Sequence, residues 1–282
     1  MHQQARGFTL VELITVIIIL GVVGVGIASF VRGSMQIYLD VNTREALLTE
    51  SRFAIERMTR ELRRAVPNSI RITGDTSQHC IEFVPSQFST IYTELPVQPS
   101  TDTQVSLVFP YDIDGNVFNI SDADFAIVYP RRSEDVYDPA RNKRQIINSC
   151  SDDGDGDCTT RDDSDDIIQI EVDSAFAERS PASRLYFADR SVSFCVLSGV
   201  LVRFENDIVV NQAVGSLSSA RLATDVINTL SANPASLPQQ DDPFTYYAAT
   251  LQRNAVVQLR LRFARDGEQV EWHQEVHIAN VP

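Results

Sequence analysis

The sequence predicts an α+β chain, with one long N-terminal helix packed on a head of antiparallel β-strands. Three observations predict it. Residues 8–31 are 24 residues that carry a single charge, Glu12. Apolar residues then recur at helical steps as far as Val66, and no proline precedes Pro67. Past Pro67 the apolar period falls from 3.6 to 2, the change from helix to half-buried strand.

The helix comes first. A helix rises ~1.5 Å per residue, so ~20 apolar residues cross a bilayer core. Residues 8–31 are long enough to span, with Arg6 before them and Arg32 after. Residues 32–66 read as the amphipathic continuation, with a stripe of Val31, Met35, Tyr38, Val41, Leu48, Ile55, Met58, Leu62 and Val66. Pro67 is expected to stop it. The whole helix would reach ~90 Å. Gly21, Gly24, Gly26 and Gly33 read either as points of bending or as sites of close helix packing in lipid. Arg57, Arg60, Arg63 and Arg64 make a basic run at the helix end. It complements the helix dipole, with an acidic partner as the other reading.

Residues 67–282 form the head. Strands are expected at Ile70–Thr73, Cys80–Val84, Val105–Phe109, Phe125–Tyr129 and Ile167–Val172. More follow at Leu185–Ala188, Val192–Leu197, Val200–Phe204, Val256–Ala264 and Val270–Ile278. Val257, Leu259, Leu261 and Phe263 alternate with Gln258, Arg260 and Arg262, one face dry and one wet. Ser198-Gly199 and Asp266-Gly267 read as tight hairpins. A helix is expected around Ser219–Leu230, and Pro85–Pro110 reads as a long irregular stretch.

The chain has 282 residues, a formal charge of −14 and 43% apolar residues, enough for a packed core. Acidity argues against nucleic acid as a partner, because a phosphate backbone needs a basic face. Half of the excess is local: residues 152–166 hold eight Asp and one Arg, a net of −7. Four cysteines allow three pairings. Cys150 and Cys158 flank a short loop, and Cys80 and Cys195 both fall in expected strands. The expected disulfides are therefore Cys150–Cys158 and Cys80–Cys195.

Asp153, Asp155 and Asp157 place carboxylates at alternate positions, as at the start of a calcium loop. The run departs from that loop where Cys158 replaces the turn glycine and Ser164 the bidentate Glu. Calcium in the 152–166 loop and a solvated acidic insertion are the two readings; no other cofactor is expected. His273 and His277 share a strand face with Glu275 between them, a spacing that suits a transition metal but is more common on an ordinary wet strand. No base, nucleophile and oxyanion hole assemble, so the chain reads as no enzyme, with no catalytic residue.

A carboxylate within an apolar span costs roughly 2.5 kcal/mol or more, and no partner for Glu12 lies within the run. Gly7-Phe8-Thr9-Leu10-Val11-Glu12-Leu13-Ile14 resembles the prepilin motif of type IV pilins and type II secretion pseudopilins. The resemblance implies the pilin fold. It implies that residues 1–7 are a leader cut between Gly7 and Phe8 by a prepilin peptidase, with N-methylation of Phe8. It also implies that Glu12 makes an assembly salt bridge with the N-terminal ammonium of a neighbouring subunit. The partners implied are other pilin subunits, met through the N-terminal helix. The implied location is the inner membrane, single-pass with a periplasmic head, and then the pilus at the cell surface.

Within the family, the chain resembles a minor pilin of the O type from the mannose-sensitive haemagglutinin (MSHA) pilus. The resemblance rests on residues 36–41, 52–57, 60–69 and 187–190. It implies a minor pilin that helps initiate or cap filament assembly. A J-like minor pseudopilin of type II secretion and a ligand-binding adhesin at the pilus tip are the alternatives.

Overall fold

A computed structural model of the chain describes residues 9–110, 118–120, 123–152, 158, 166–250 and 253–278. Helix α1 spans Leu10–Leu62, 53 residues, or about 80 Å. Thr9 caps its start: the backbone is extended there and the hydroxyl accepts from the Glu12 amide at 3.3 Å. The helix stops before Pro67 is reached. Arg63 and Arg64 form a closing turn, and the Val66 amide donates to the Val84 carbonyl at 2.8 Å. That sheet-like bond, together with a bridge between Ala65 and Pro85, draws the chain into extended geometry before proline can end the helix.

Only the second half of α1 is packed. Leu47, Ser51, Ala54, Ile55, Met58 and Leu62 are buried, at steps of three and four residues. The expected stripe began too early. Val31, Met35, Tyr38 and Val41 are all exposed, and Leu47 rather than Leu48 turns inward. The cause is that the head reaches only this far along the helix.

The packed half lies on a sheet with two sections. The first has the order β1-β2-β9-β10-β11, from β1 (Arg71–Asp75), β2 (Gln78–Phe83), β9 (Ser191–Leu197), β10 (Val200–Asn206) and β11 (Ala220–Ala223). The second has the order β12-β13-β14, from β12 (Phe244–Tyr247), β13 (Ala255–Arg265) and β14 (Glu268–Ile278). The Ala264 amide donates to Asp225 at 3.0 Å and the Ile227 amide to Arg262 at 2.8 Å, which joins the sections. Pairing is antiparallel throughout. Phe83, Phe194, Val257, Leu259 and Phe263 meet the helix stripe in one core.

Both expected hairpin turns are present. Ser198 and Gly199 join β9 to β10 with φ of 48° and 78°, and Asp266 and Gly267 join β13 to β14 with φ of 52° and 89°. Positive φ at both central residues matches the right-handed strand twist.

Between β2 and β9 the chain builds a second body. Strands β3 (Phe88–Glu94), β4 (Gln104–Val108), β5 (Phe125–Val128), β6 (Arg144–Asp152), β7 (Ile167–Val172) and β8 (Arg184–Ala188) close into a barrel of order β3-β4-β7-β6-β5-β8. Leu107, Ile168, Ile170, Phe176, Leu185 and Phe187 fill it. A short helix, α2 (Ser133–Tyr137), leads into β6. The stretch 85–110 is therefore ordered by β3 and β4 rather than irregular.

The helix expected around 219–230 is absent, and β11 and the bridge at Val226 stand there instead. Leu222 and Val226 are buried and Leu230 half-buried, as a helix would have placed them. A spacing of four, however, is also two full pleats of a strand. Asp225 at φ 59° breaks any helix.

Candidate assembly face

Two surfaces of α1 differ in their partners. Its packed half is tied to the sheet by polar contacts around the apolar stripe. The Trp272 indole donates to Ser51 Oγ at 2.8 Å. Glu50 accepts from the Thr224 amide at 2.7 Å and from Arg265 at 2.7 Å. Arg203 holds both oxygens of Glu61, at 3.0 and 2.8 Å. These anchors, Glu50, Ser51 and Glu61, were not singled out from the sequence. Their one signal is that polar residues interrupt a face that is otherwise apolar.

The first half has no such support. Every residue of the helix from Leu10 to Leu39 is exposed, with Leu10 at 74% and Phe30 at 75%. This helix is long and apolar enough to cross a membrane. A Cβ added at Gly21, Gly24, Gly26 or Gly33 would meet nothing within 4 Å, and the helix runs through all four unbroken. A surface this apolar is covered by lipid or by other chains.

Glu12 sits in the first turn of that half, where a carboxylate complements the positive helix end. Its backbone is engaged, the amide to Thr9 and the carbonyl accepting from Thr15 at 3.0 Å. Its carboxylate makes no hydrogen bond or ion pair among the described residues. Gly7 and Phe8 lie outside the described residues.

Cys80 joins Cys195 across directly paired positions of β2 and β9, with Cα atoms 4.1 Å apart. The bond closes the neck from which the barrel emerges. Cys150, at the end of β6, joins Cys158, with Cα atoms 6.1 Å apart. Asp153, Asp155 and Asp157 lie outside the described residues. Among the described residues no three His, Cys, Asp or Glu side chains gather as a metal-binding group. His273 bonds Glu271 at 2.7 Å on the wet face of β14. His79, in contrast, is buried, with Nε2 2.8 Å from the Ser231 carbonyl and Nδ1 3.6 Å from Asp242.

One comparison bears on this N-terminus. Residues 3–28 match the family model of the prokaryotic N-terminal methylation motif. The match supports a precursor of the type IV pilin and pseudopilin class, and with it processing by a prepilin peptidase and assembly with other pilins. The apolar helix and the motif together fit a single-pass anchor in the inner membrane. No curated protein and no solved structure matches the chain.

Proposed function

We propose that the chain is a minor prepilin, a structural subunit built into a type IV pilus of the MSHA type, where it helps initiate or cap the filament. One observation carries this reading: a methylation motif opens a helix whose first half is exposed and has no partner among the described residues. In this reading residues 1–7 are removed, the new N-terminus at Phe8 is methylated, and Glu12 pairs with the N-terminal ammonium of the neighbouring subunit. Opposite charges brought together in apolar surroundings neutralise each other, which removes the cost of a lone buried carboxylate.

The inserted barrel supports a minor role. A subunit repeated through a lattice has to fit the same neighbours at every step. A bulky second body projecting from the neck of the head is tolerated at an end more easily than in every repeat. The MSHA assignment rests on the resemblance at residues 36–41, 52–57, 60–69 and 187–190.

Intact mass of the protein from membranes, with and without the cognate peptidase, tests the class. Loss of Met1–Gly7 with one added methyl supports it; an uncleaved chain in the presence of the peptidase refutes it. Deletion of the MSHA-type major subunit tests the subtype, because the chain should then vanish from sheared surface filaments.

A further inference from the structure

The far end of α1 carries charge that its own head does not use. Arg60, Arg63 and Arg64 are exposed, and none of their guanidinium groups makes a hydrogen bond or ion pair among the described residues. Their neighbours behave differently: Arg52 pairs with Glu56 at 2.8 Å and Arg57 with Glu61 at 2.9 Å. In a chain of net charge −14, three neighbouring cations left without carboxylates among the described residues are available to an external partner.

The three line a cleft of about 560 Å³ between the helix end and β14, closed on the strand side by Gln274. Glu56 also borders it, but its charge is taken up by Arg52. Thr59 borders it too, and its hydroxyl oxygen is buried with no hydrogen-bond partner. β14 is the last strand of its section, and its outer edge pairs with no strand among the described residues. Around Arg60 a second hollow continues to Phe53, which is 56% exposed. Arginine beside an exposed aromatic is the composition of an interface hot spot, and the planar fork of arginine suits carboxylates.

The geometry points to this cleft as the docking site for an acidic segment of the neighbouring filament subunit. This rests on the function proposed above, because packing of the exposed half of α1 against other subunits is what brings a neighbour alongside. Position argues against a lipid headgroup. Arg60 lies 29 residues beyond Val31, which is roughly 44 Å along the helix. With the apolar run in the bilayer, the arginines stand well past the headgroup layer.

The test uses the full chain in cells that assemble the filament. Replacing Gln274 with p-benzoylphenylalanine puts a photoreactive group in the cleft and keeps all three arginines. The same change at His273, on the opposite face of β14, is the control. We expect a light-dependent adduct to another filament subunit from position 274 and none from 273, through a peptide of net negative charge. Combining R60E, R63E and R64E should lower both that adduct and the chain's share of sheared filaments by about tenfold or more, since each guanidinium–carboxylate contact is a strong one. Leader removal and protease resistance of the head should stay unchanged in that variant. An adduct to lipid, to a neutral or basic peptide, or none at all overturns the proposal. So does a triple variant that enters filaments at the wild-type level. Leader cleavage is scored separately: an uncleaved wild-type chain refutes the functional reading, and the docking site falls with it.

Discussion

Trp272 on β14 donates its indole N–H to Ser51 on α1 at 2.8 Å, across 221 positions of sequence. Trp272 is the single tryptophan of the chain, and Ser51 is fully buried in the helix face. The bond marks where helix and sheet lock together. It also provides an optical probe of that contact.

Ser51→Ala should therefore destabilise the head by about 1–2 kcal/mol, because the indole N–H is left without a partner while the packing barely changes. Urea unfolding of the full chain in detergent, followed by tryptophan emission, measures it. The emission maximum of the folded variant should also shift. An unchanged midpoint and spectrum would mean that the bond contributes nothing.

The two disulfides should differ in weight. Cys80–Cys195 closes a loop of 115 residues and Cys150–Cys158 one of 8. Chain entropy assigns about 5 kcal/mol to the first and about 2.5 kcal/mol to the second. Replacing Cys80 and Cys195 with Ala should thus lower the denaturation midpoint more than replacing Cys150 and Cys158. The reverse order would show that the neck of the barrel holds without its bond.

Several features could be read from residues alone, and the reasons for the misses are physical. The β13–β14 hairpin was legible because Val257, Leu259, Leu261 and Phe263 alternate with polar residues up to Asp266-Gly267. The barrel was not. β6 (Arg144–Asp152) has few apolar residues to mark a period. β3 (Phe88–Glu94) pairs with β8 along its first part and with β4 along its second, across an irregular register, so no single alternation runs its length. The buried stripe of α1 begins at Leu47 because a tertiary boundary sets it, and no local pattern records where the head stops. Glu12 stands out in the sequence because a carboxylate is out of place in an apolar run, and what the structure adds is its place in the first turn of α1. Glu50 and Glu61 do not stand out, because carboxylates are ordinary on an amphipathic helix.

Acid should loosen the head through its arginine-bound carboxylates. Hydrogen bonding from Arg265 holds Asp225 below its ordinary 3.8, and bonds from Arg190 and then Arg203 hold Glu205 below its ordinary 4.5. A depressed folded value means that the stabilisation is complete above the unfolded value and is lost as pH falls through the folded one. The urea midpoint should thus decline from about pH 4.5 downward. Both side chains are more than a third exposed, at 39% and 38%, so each contributes about 1 kcal/mol or less. Arg265→Gln should flatten the decline. A slope equal to that of the unsubstituted chain would place the acid sensitivity elsewhere.

Glu12 gives the prediction most closely bound to function. Glu12→Gln removes the charge and keeps the shape, so insertion into the membrane should become easier by only part of the roughly 2.5 kcal/mol that a carboxylate costs there, because the amide stays polar. The head lies far along α1 and touches none of residues 10–39 closely enough to bury them, so its fold should not change. Cleavage of the leader should continue as well, if Glu12 serves assembly rather than recognition by the peptidase. What should fail is entry into filaments, because the ammonium at Phe8 of the adjoining subunit would be left in an apolar setting without its counter-charge. Cleaved, membrane-inserted chain that is missing from sheared filaments is the expected result. Normal entry of Glu12→Gln would show that the carboxylate has another role, and would shift the explanation of filament order to contacts of the head.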